Sequence, residues 1–355
     1  MIKYLGSKRT LVPMLGDLAV ATGARTALDL FTGTTRVAQE FKRRGLVVTA
    51  ADAASYSAVL GECYISTDGA TVDLDELDAV LGRLDALPGA PGYVTDTFCE
   101  QARYFQPKNG ARIDAVREAI EADHPVGDPL RPVLLTALML AADRVDSTTG
   151  LQMAYLKEWA PRAHRDMVLR RPDLLPGPGR TLHGDATLLV DEVAPVDLAY
   201  VDPPYNQHRY FTNYHVWETL MRWDAPEHYG VACKRIDSRS AETRSVFNSR
   251  RTMPAALADL LGRLRAETVV LSYNDEAWLT AEELMDMLRE AGHEEVRMLA
   301  FDRKRYVGAL IGIHDRSGRR VGEVRRRRNV EYVFVAGDRG RVEAATEVVP
   351  ADRAG

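Results

Sequence analysis

The chain has 355 residues, of which 46% are hydrophobic and 27% are charged, the average composition of a soluble globular protein. Its 26 glycines and 17 prolines are ordinary numbers that exclude collagen-like and low-complexity chains. The formal net charge is −5, which as a whole-chain property argues against a simple basic domain that binds polyanions. The length accommodates one large or two medium domains.

The apolar segments and the cysteines indicate the compartment. The sequence has no apolar run near the roughly 20 residues that cross a bilayer, and Met1–Gly6 lacks the apolar stretch of a signal peptide. Cys63, Cys99 and Cys233 are widely spaced and form no Cys-x-x-Cys pair, which argues against a disulfide framework or a zinc ribbon. We therefore expect a cytoplasmic protein with no membrane segment and no metal site.

The first elements predict a parallel α/β sheet. Ala27–Phe31 is a short buried strand that contains an acid, and the small residues Thr32–Thr35 form the loop before an amphipathic helix. Leu46–Ala51 is a second apolar strand, closed by Asp52. A strand, loop, helix and strand in under 30 residues are typical of a parallel sheet.

The middle of the chain has a different character. Helical patterns occur at residues 73–87, 109–122 and 132–145, and the Pro/Gly-rich segment 172–179 closes this part as a linker. We therefore predict a helical insertion at residues 58–179.

Strand patterns resume after the insertion, at residues 181–185, 196–201, 268–273, 295–301 and 330–335, with an amphipathic helix at about 280–290. The pattern predicts a discontinuous α/β domain at residues 1–57 and 180–340. Residues 341–355 form a C-terminal tail.

The motif Asp202-Pro203-Pro204-Tyr205 directly follows the predicted strand 196–201. Average composition places this string by chance in on the order of one such chain in a thousand. Open α/β sheets bind their ligands at the carboxyl ends of the strands, so we interpret the motif as a functional site rather than a proline-rich turn.

The residue types of this motif suit chemistry on an exocyclic amine such as that of adenine, whose nitrogen lone pair is delocalised into the ring. The Asp202 carboxylate and the Pro203 carbonyl can accept its two N–H bonds and direct the lone pair at an electrophile. Proline suits the second role because its fixed φ holds the carbonyl in place. Tyr205 can stack on a base that has been rotated out of a duplex.

The motif resembles the catalytic motif of S-adenosylmethionine-dependent amino-methyltransferases. Lys3–Lys8 and Asp29–Gly33 further resemble the Dam-type (D12) class of adenine-N6 DNA methyltransferases. The order of motifs agrees with that class, and the resemblance covers about residues 1–60 and 180–340. It implies a Rossmann-like S-adenosylmethionine-dependent methyltransferase sheet, with the helical insertion as the target-recognition domain.

The resemblance implies roles for individual residues. Lys8 would pair with the methionine carboxylate of the cofactor, Asp52 would accept from the ribose hydroxyls, and Asp185 would accept from the adenine amino group. The implied catalytic residues are Asp202, Pro203, Pro204 and Tyr205, and the implied cofactor-binding residues are Tyr4, Gly6, Lys8, Asp29, Phe31, Gly33, Asp52, Asp185 and Asp202.

Two features leave alternatives open. The family loop often carries a glycine where this chain has Thr35, which we interpret as a tolerated variation. An aspartate after a strand often serves only as a turn former or helix cap, and this interpretation applies singly to Asp29, Asp52 and Asp185.

None of the cysteines follows a proline, which disfavours ring-carbon cytosine methylation.

The charge is distributed unevenly along the chain. Residues 303–328 hold ten basic and two acidic residues, a net +8, and residues 233–251 hold a net +4, so the remainder carries −17. Arginine clusters suit phosphate clamping and bidentate guanine contacts. We therefore expect duplex DNA to contact both basic segments, and in the first of them a set of seven residues: Arg303, Lys304, Arg305, Arg325, Arg326, Arg327 and Arg328.

The sequence thus predicts a DNA adenine-N6 methyltransferase that uses S-adenosylmethionine and no metal. Its expected partners are double-stranded DNA and, for a restriction-modification enzyme rather than an orphan methylase, a cognate restriction endonuclease. Association with the nucleoid would occur through DNA. The alternatives are a cytosine-N4 or RNA adenine methyltransferase and a catalytically silent DNA-binding relative. Ser147–Gly150 and Tyr155–Arg171 in the insertion are polar, basic and aromatic, which suits a surface that reads DNA sequence.

Overall fold

The computed structural model describes residue 2 and residues 8–207, 209–304, 313–314, 320–322 and 328–349, with the backbone alone at 303–304, 313–314, 320–322 and 328. These residues divide into two compact units. The first unit contains Thr32–Ala186 and the described residues before Thr10 and within His208–Ser245. The second contains Thr10–Phe31, Thr187–Gln207 and the described residues from Val246 onward.

The elements are numbered in chain order. The helices are α1 (Val12–Ala21), α2 (Arg36–Arg43), α3 (Ser55–Gly61), α4 (Leu74–Asp85), α5 (Pro107–Asp123), α6 (Arg131–Asp143), α7 (Ala186–Glu192), α8 (Tyr210–Asn213), α9 (His215–Arg222), α10 (Met253–Arg263), α11 (Ala281–Glu290) and α12 (Arg339–Glu347). The strands are β1 (Thr26–Asp29), β2 (Val47–Asp52), β3 (Gly179–His183), β4 (Val196–Val201), β5 (His228–Tyr229), β6 (Lys234–Arg235), β7 (Ala266–Asn274), β8 (Glu295–Lys304), β9 (Ile313–His314), β10 (Arg320–Gly322) and β11 (Arg328–Gly337). Two π-helical segments, Glu62–Ser66 and Thr95–Gln101, follow α3 and precede α5.

The first unit combines a parallel strand pair with the helices α4, α5 and α6. β2 and β3 pair in parallel from Val48 opposite Gly179 to Asp52 opposite His183. Helix α6 is apolar nearly all round and is buried along most of its length, as expected for a helix at the centre of a core. The helices predicted at residues 73–87, 109–122 and 132–145 are confirmed as α4, α5 and α6.

Five strands of the second unit pair in the order β1, β4, β7, β11, β8, and this unit also contains β9 and β10, which pair with each other. β1, β4 and β7 are parallel, whereas β11 runs antiparallel to both β7 and β8. The strand predicted at residues 196–201 has the observed bounds of β4. Parallel pairs predominate among the long strands of the two units, and the protein has the predicted Rossmann-like α/β fold.

A polar cluster fixes the start of α9 within the first unit. The Nε2 atom of His215 lies 2.9 Å from the carbonyl oxygen of Gln152, and the Tyr104 hydroxyl lies 2.6 Å from the same oxygen. The rings of Phe98 and Tyr104 pack against the imidazole, with centroids 5.8 Å away in both cases. Burial lowers the pKa of His215 to about 3, so the folded protein holds this side chain neutral.

The burial of His215 predicts a loss of stability on acidification. Below pH 6.5 the unfolded chain binds a proton at this side chain, while the folded chain stays neutral down to about pH 3. By linkage, His215 should lower the free energy of unfolding by about 2 kcal/mol between pH 7 and pH 5. Urea unfolding at the two pH values measures the free energy of unfolding. Its decrease from pH 7 to pH 5 should be larger by this amount in the wild type than in His215→Asn. Equal decreases would contradict the prediction.

Among the described residues, no helix combines the length and apolar character needed to cross a membrane.

Candidate active site

In the second unit, two acids lie at the carboxyl ends of adjacent parallel strands. Asp29 is the last residue of β1 and pairs with Tyr200 of β4. The Leu30 N–H continues the ladder by donating to the Tyr200 carbonyl at 3.1 Å. Asp202 comes two residues after Tyr200, so both acids stand at the same edge. Asp29 is buried and Asp202 is half-buried.

Two aromatic pairs lie in the same unit, and one of them includes Tyr205 of the motif. The Tyr205 ring contacts the Tyr273 ring edge-on at a centroid distance of 5.4 Å. Phe31, just after β1, makes a similar T-shaped contact with Phe247 at 5.1 Å. The Asn248 side chain donates to the Asn206 carbonyl at 2.9 Å, which ties the residue after the motif to the segment that carries Phe247.

Because ligands bind at the carboxyl ends of parallel strands, Tyr273 is a further candidate site residue, although the sequence prediction did not include it. Val201 of β4 pairs with Leu271 of β7, and Tyr273 follows two positions later, near the carboxyl end of its strand. Because β4 and β7 are parallel, their carboxyl ends share an edge. The polar and aromatic end of the run Thr268–Tyr273 could therefore have indicated a site residue.

The first unit repeats this arrangement of acids. Asp52 is the last residue of β2 and pairs with His183 of β3, and Asp185 follows two residues later, directly before α7. Asp52 and Asp185 are both half-buried. The edge of this strand pair therefore presents two carboxylates, as the sequence predicts.

The Asp52 carboxylate is held by two backbone donors. The Gly33 N–H donates to Oδ2 at 2.8 Å and the Ala54 N–H donates to Oδ1 at 2.9 Å. Burial raises the pKa of Asp52, while these two donors act to lower it. Each carboxylate oxygen has a further lone pair, so the group can accept from both hydroxyls of a ribose. These acceptor oxygens of Asp52 therefore fit the ribose hydroxyls of S-adenosylmethionine.

The loop before α2 contains Thr35, the position at which the family loop often carries a glycine. Gly33 has φ 51° and Thr35 has φ 60°, and a left-handed backbone favours glycine. Thr35 is fully buried. Its hydroxyl donates to the Thr34 carbonyl at 2.7 Å and accepts from the Gln39 Nε2 at 2.7 Å. These two hydrogen bonds hold a β-branched residue in a conformation that glycine adopts without strain.

The left-handed backbone at Thr35 predicts that a glycine variant is more stable than an alanine variant, which is the reverse of the usual order. Thr35→Ala and Thr35→Gly both remove the hydroxyl, but only alanine keeps the strain of a Cβ at positive φ. We expect the glycine variant to be the more stable of the two by about 1 kcal/mol, despite the greater entropy of its unfolded chain. Thermal unfolding of both measures the difference. A more stable alanine variant would show that the backbone at this position is not left-handed.

The predicted methionine-binding residues near the N-terminus and the predicted DNA-binding residues are described in part. Lys8 is buried, and Tyr4 and Gly6 lie outside the described residues. Among the predicted DNA-binding residues, Arg305, Arg325, Arg326 and Arg327 also lie outside the described residues. The backbones of Arg303, Lys304 and Arg328 belong to the last rungs of the β8–β11 ladder, where Lys304 pairs with Arg328.

One arginine of the basic segment 233–251 is buried in ion pairs within the protein. The Arg235 guanidinium is almost fully buried and donates to Asp224 at 2.6 Å and to Asp237 at 2.7 Å. Burial alone would lower its pKa, but the two carboxylates raise it. The expectation of a DNA-contacting charge is therefore wrong for Arg235, whereas Arg239, Arg244, Arg250 and Arg251 are exposed.

The predicted DNA-reading loop Ser147–Gly150 is largely buried, which contradicts the expectation from its polar sequence. Ser147 and Thr148 are almost inaccessible to solvent. The Ser147 hydroxyl accepts from the Ala160 N–H at 3.1 Å, and the preceding Asp146 carboxylate pairs with Arg162 at 2.7 Å. These polar side chains therefore stabilise the loop through hydrogen bonds and an ion pair.

The cysteines do not provide a nucleophile. All three are buried free thiols, and burial raises the pKa of each of them. The thiolate that attacks a ring carbon is therefore not available at neutral pH. Among the described side chains, no group of histidine, cysteine, aspartate and glutamate could hold a metal ion.

Comparison with known proteins agrees with this arrangement of residues. Residues 4–287 match the family described as D12 class N6 adenine-specific DNA methyltransferase. The chain is 27% identical to the type II methyltransferase M.FokI of Planomicrobium okeanokoites over 83% of its length, and 26% identical to the modification methylase StsI of Streptococcus sanguinis over 81%. It spans about half of these two proteins, 48% and 46%. It is 29% identical to the type II methyltransferase M.NlaIII of Neisseria lactamica, over 82% of this chain and 89% of that protein.

The family match extends over the strand-end acids of both units, the insertion and the motif Asp202-Pro203-Pro204-Tyr205. Members of this family use S-adenosylmethionine as the methyl donor. The chain belongs to the D12 class of N6 adenine-specific DNA methyltransferases.

Proposed function

We propose that this protein transfers a methyl group from S-adenosylmethionine to N6 of adenine at a specific site in double-stranded DNA, as part of a restriction-modification system. The observation that supports this most strongly is the position of Asp202-Pro203-Pro204-Tyr205 directly after β4, in a parallel run of strands with a second acid at the adjacent strand end. The names of the relatives, modification methylases and type II methyltransferases, support the same role.

The chemistry requires an amine to act as a nucleophile. S-adenosylmethionine, when bound, supplies an electrophilic methyl group on a sulfonium centre. In our proposal the Asp202 carboxylate accepts one N6–H and the Pro203 carbonyl accepts the other, so that the nitrogen lone pair points out of the ring plane. The new N–C bond would form as the C–S bond breaks, which releases S-adenosylhomocysteine as a neutral thioether, and Asp202 would receive the proton that N6 loses. No covalent enzyme intermediate is needed.

The same proposal assigns the remaining site residues. Tyr205 stacks on the extruded adenine, and its edge contact with Tyr273 limits the rotation of its ring. Asp52 accepts from the ribose hydroxyls and Asp185 from the adenine amino group of the cofactor. The methionine end is assigned to Tyr4, Gly6, Lys8, Asp29, Phe31 and Gly33.

DNA contacts are assigned to the basic segment, with Arg303, Lys304, Arg305 and Arg325–Arg328 on phosphates or base edges. Binding should therefore weaken steeply with salt. In this proposal residues 1–57 and 180–340 carry catalysis and residues 58–179 carry target recognition. A cognate endonuclease is the proposed partner, and the cytoplasm, where the DNA lies, is the proposed location.

The proposal is tested by incubating the protein with duplex DNA and radiolabelled S-adenosylmethionine, followed by digestion to nucleosides. The label should appear in N6-methyldeoxyadenosine, with Asp202→Ala as the inactive control. Label in N4-methylcytosine, or transfer to RNA in preference to DNA, would assign a different substrate. Absence of transfer to either would identify a catalytically silent relative.

A further inference from the structure

Glu218 is a buried acid with no role in the chemistry described above. It lies on α9 and is only 2% exposed, and burial raises its pKa. An ionised carboxylate is costly to bury without hydrogen bonds. Its nearest cation, Arg222, lies 4.0 Å away and is itself partly exposed, so this ion pair offsets little of the cost.

The carboxylate of Glu218 is directed at the turn that follows Asp52. Its two oxygens accept from the Ser55 N–H at 3.0 and 3.3 Å. One residue earlier, the Ala54 N–H donates to Asp52 itself at 2.9 Å. Two carboxylates, one within the turn and one from a helix 163 residues away in sequence, therefore hold successive N–H groups of residues 52–55.

The position of Glu218 is itself fixed by the insertion. The Gln152 side-chain oxygen accepts from the N–H groups of Val216 and Trp217 at 2.9 and 3.3 Å, in the first turn of α9. The Tyr56 ring of α3 packs against Tyr214, immediately before α9, at 5.7 Å. Helix α9 is therefore restrained at its start and packed beside α3. These contacts fix the position of the Glu218 carboxylate next to the Ser55 N–H.

We propose that Glu218 is a positioning residue for the cofactor-binding carboxylate of Asp52, acting through the Ser55 N–H to fix the turn on which Asp52 lies. This inference rests on the proposed role of Asp52 in binding the ribose. Removing the Glu218 carboxylate leaves the partly buried Ser55 N–H without its acceptor and loosens the turn. The consequence is a weaker affinity for the cofactor, with little change in the rate of the chemical step once the cofactor is bound.

The test measures binding of S-adenosylhomocysteine by calorimetry, without DNA or turnover. Glu218→Ala should bind about 5- to 30-fold more weakly than the wild type. In a parallel assay its KM for S-adenosylmethionine should rise by a similar factor, with kcat within about twofold. Glu218→Gln retains an acceptor oxygen for the Ser55 N–H and should recover most of the affinity.

Thr219→Val is the matched control. Thr219 is the next residue of α9 and equally buried, but its hydroxyl donates to the His215 carbonyl at 2.8 Å and does not contact the turn. This variant should lower the melting temperature and leave the affinity unchanged. An equal loss of affinity in Glu218→Ala and Thr219→Val would show a purely structural role and overturn the inference.

Two further outcomes separate this inference from the proposed function. If the wild type binds S-adenosylhomocysteine and Glu218→Ala binds it equally well, only the role of Glu218 is refuted. If the wild type does not bind it, the assignment of the cofactor site fails as well. Hydrogen exchange on the wild type provides a measurement that needs no variant: ligand should increase protection at residues 54–56 and 216–218, and unchanged exchange at these residues would overturn the coupling.

Discussion

Replacement of Asp202 by alanine should lower the rate of methyl transfer at saturating cofactor and DNA by about 10²- to 10³-fold, the usual effect of removing one group that stabilises developing charge. Alanine removes the acceptor that aligns the N6 lone pair, whereas asparagine keeps one acceptor oxygen without the charge. Asp202→Asn should therefore lose less activity than Asp202→Ala. Single-turnover transfer of labelled methyl groups to duplex DNA measures the effect.

Asp259→Ala is a suitable control for this experiment. Asp259 is an exposed acid on α10 whose ion pair with Arg263 spans 2.8 Å, and exposed pairs contribute little to stability. Its removal should leave the rate unchanged. A wild-type rate in Asp202→Ala would refute the catalytic assignment of the motif.

Replacement of Asp52 by alanine should weaken binding of S-adenosylhomocysteine roughly 10²-fold. The expected loss corresponds to two hydrogen bonds from ribose hydroxyls to a charged acceptor. The Gly33 and Ala54 N–H groups lose their acceptor at the same time, so the melting temperature should also fall. Calorimetry on the folded variant separates the two effects.

Asp68 provides a close structural control for Asp52. Its carboxylate accepts from the N–H two residues later, Ala70 at 3.0 Å, and from a distant glycine N–H, Gly177 at 2.9 Å, as the Asp52 carboxylate does. Asp68 lies in a loop rather than at the end of a strand. Asp68→Ala should therefore lower stability without changing affinity. Equal affinity losses in the two variants would contradict a ligand-binding role for Asp52.

The strand-end acids could be predicted from the sequence because each follows a short apolar run, and paired parallel strands within each unit bring their carboxyl ends to one edge. Asp29, Asp52, Asp185 and Asp202 are all found at or within two residues of a strand end. This information is local, since it depends on hydrophobic pattern and on the residue that ends it. The same reasoning would have reached Tyr273.

The residues that sequence reasoning missed or misjudged depend on contacts between distant segments. Glu218 and Gln152 are ordinary polar residues until folding brings them to the N–H groups of Ser55 and α9. Arg235 belongs to a basic segment, yet the carboxylates of Asp224 and Asp237 bury its charge. The Ser147–Gly150 loop is polar because it satisfies its own hydrogen bonds. Composition reports the charge of such residues but not whether they are buried.

The proposed methylation of adenine at N6 in DNA depends on the Asp202 motif. A direct test is modified-base sequencing of DNA from cells that lack their own adenine methylases and express either the wild type or Asp202→Ala. We expect N6-methyladenine at one recurring sequence with the wild type and none with the variant. Unmodified adenine with the wild type, or the same methylation with Asp202→Ala, would contradict it.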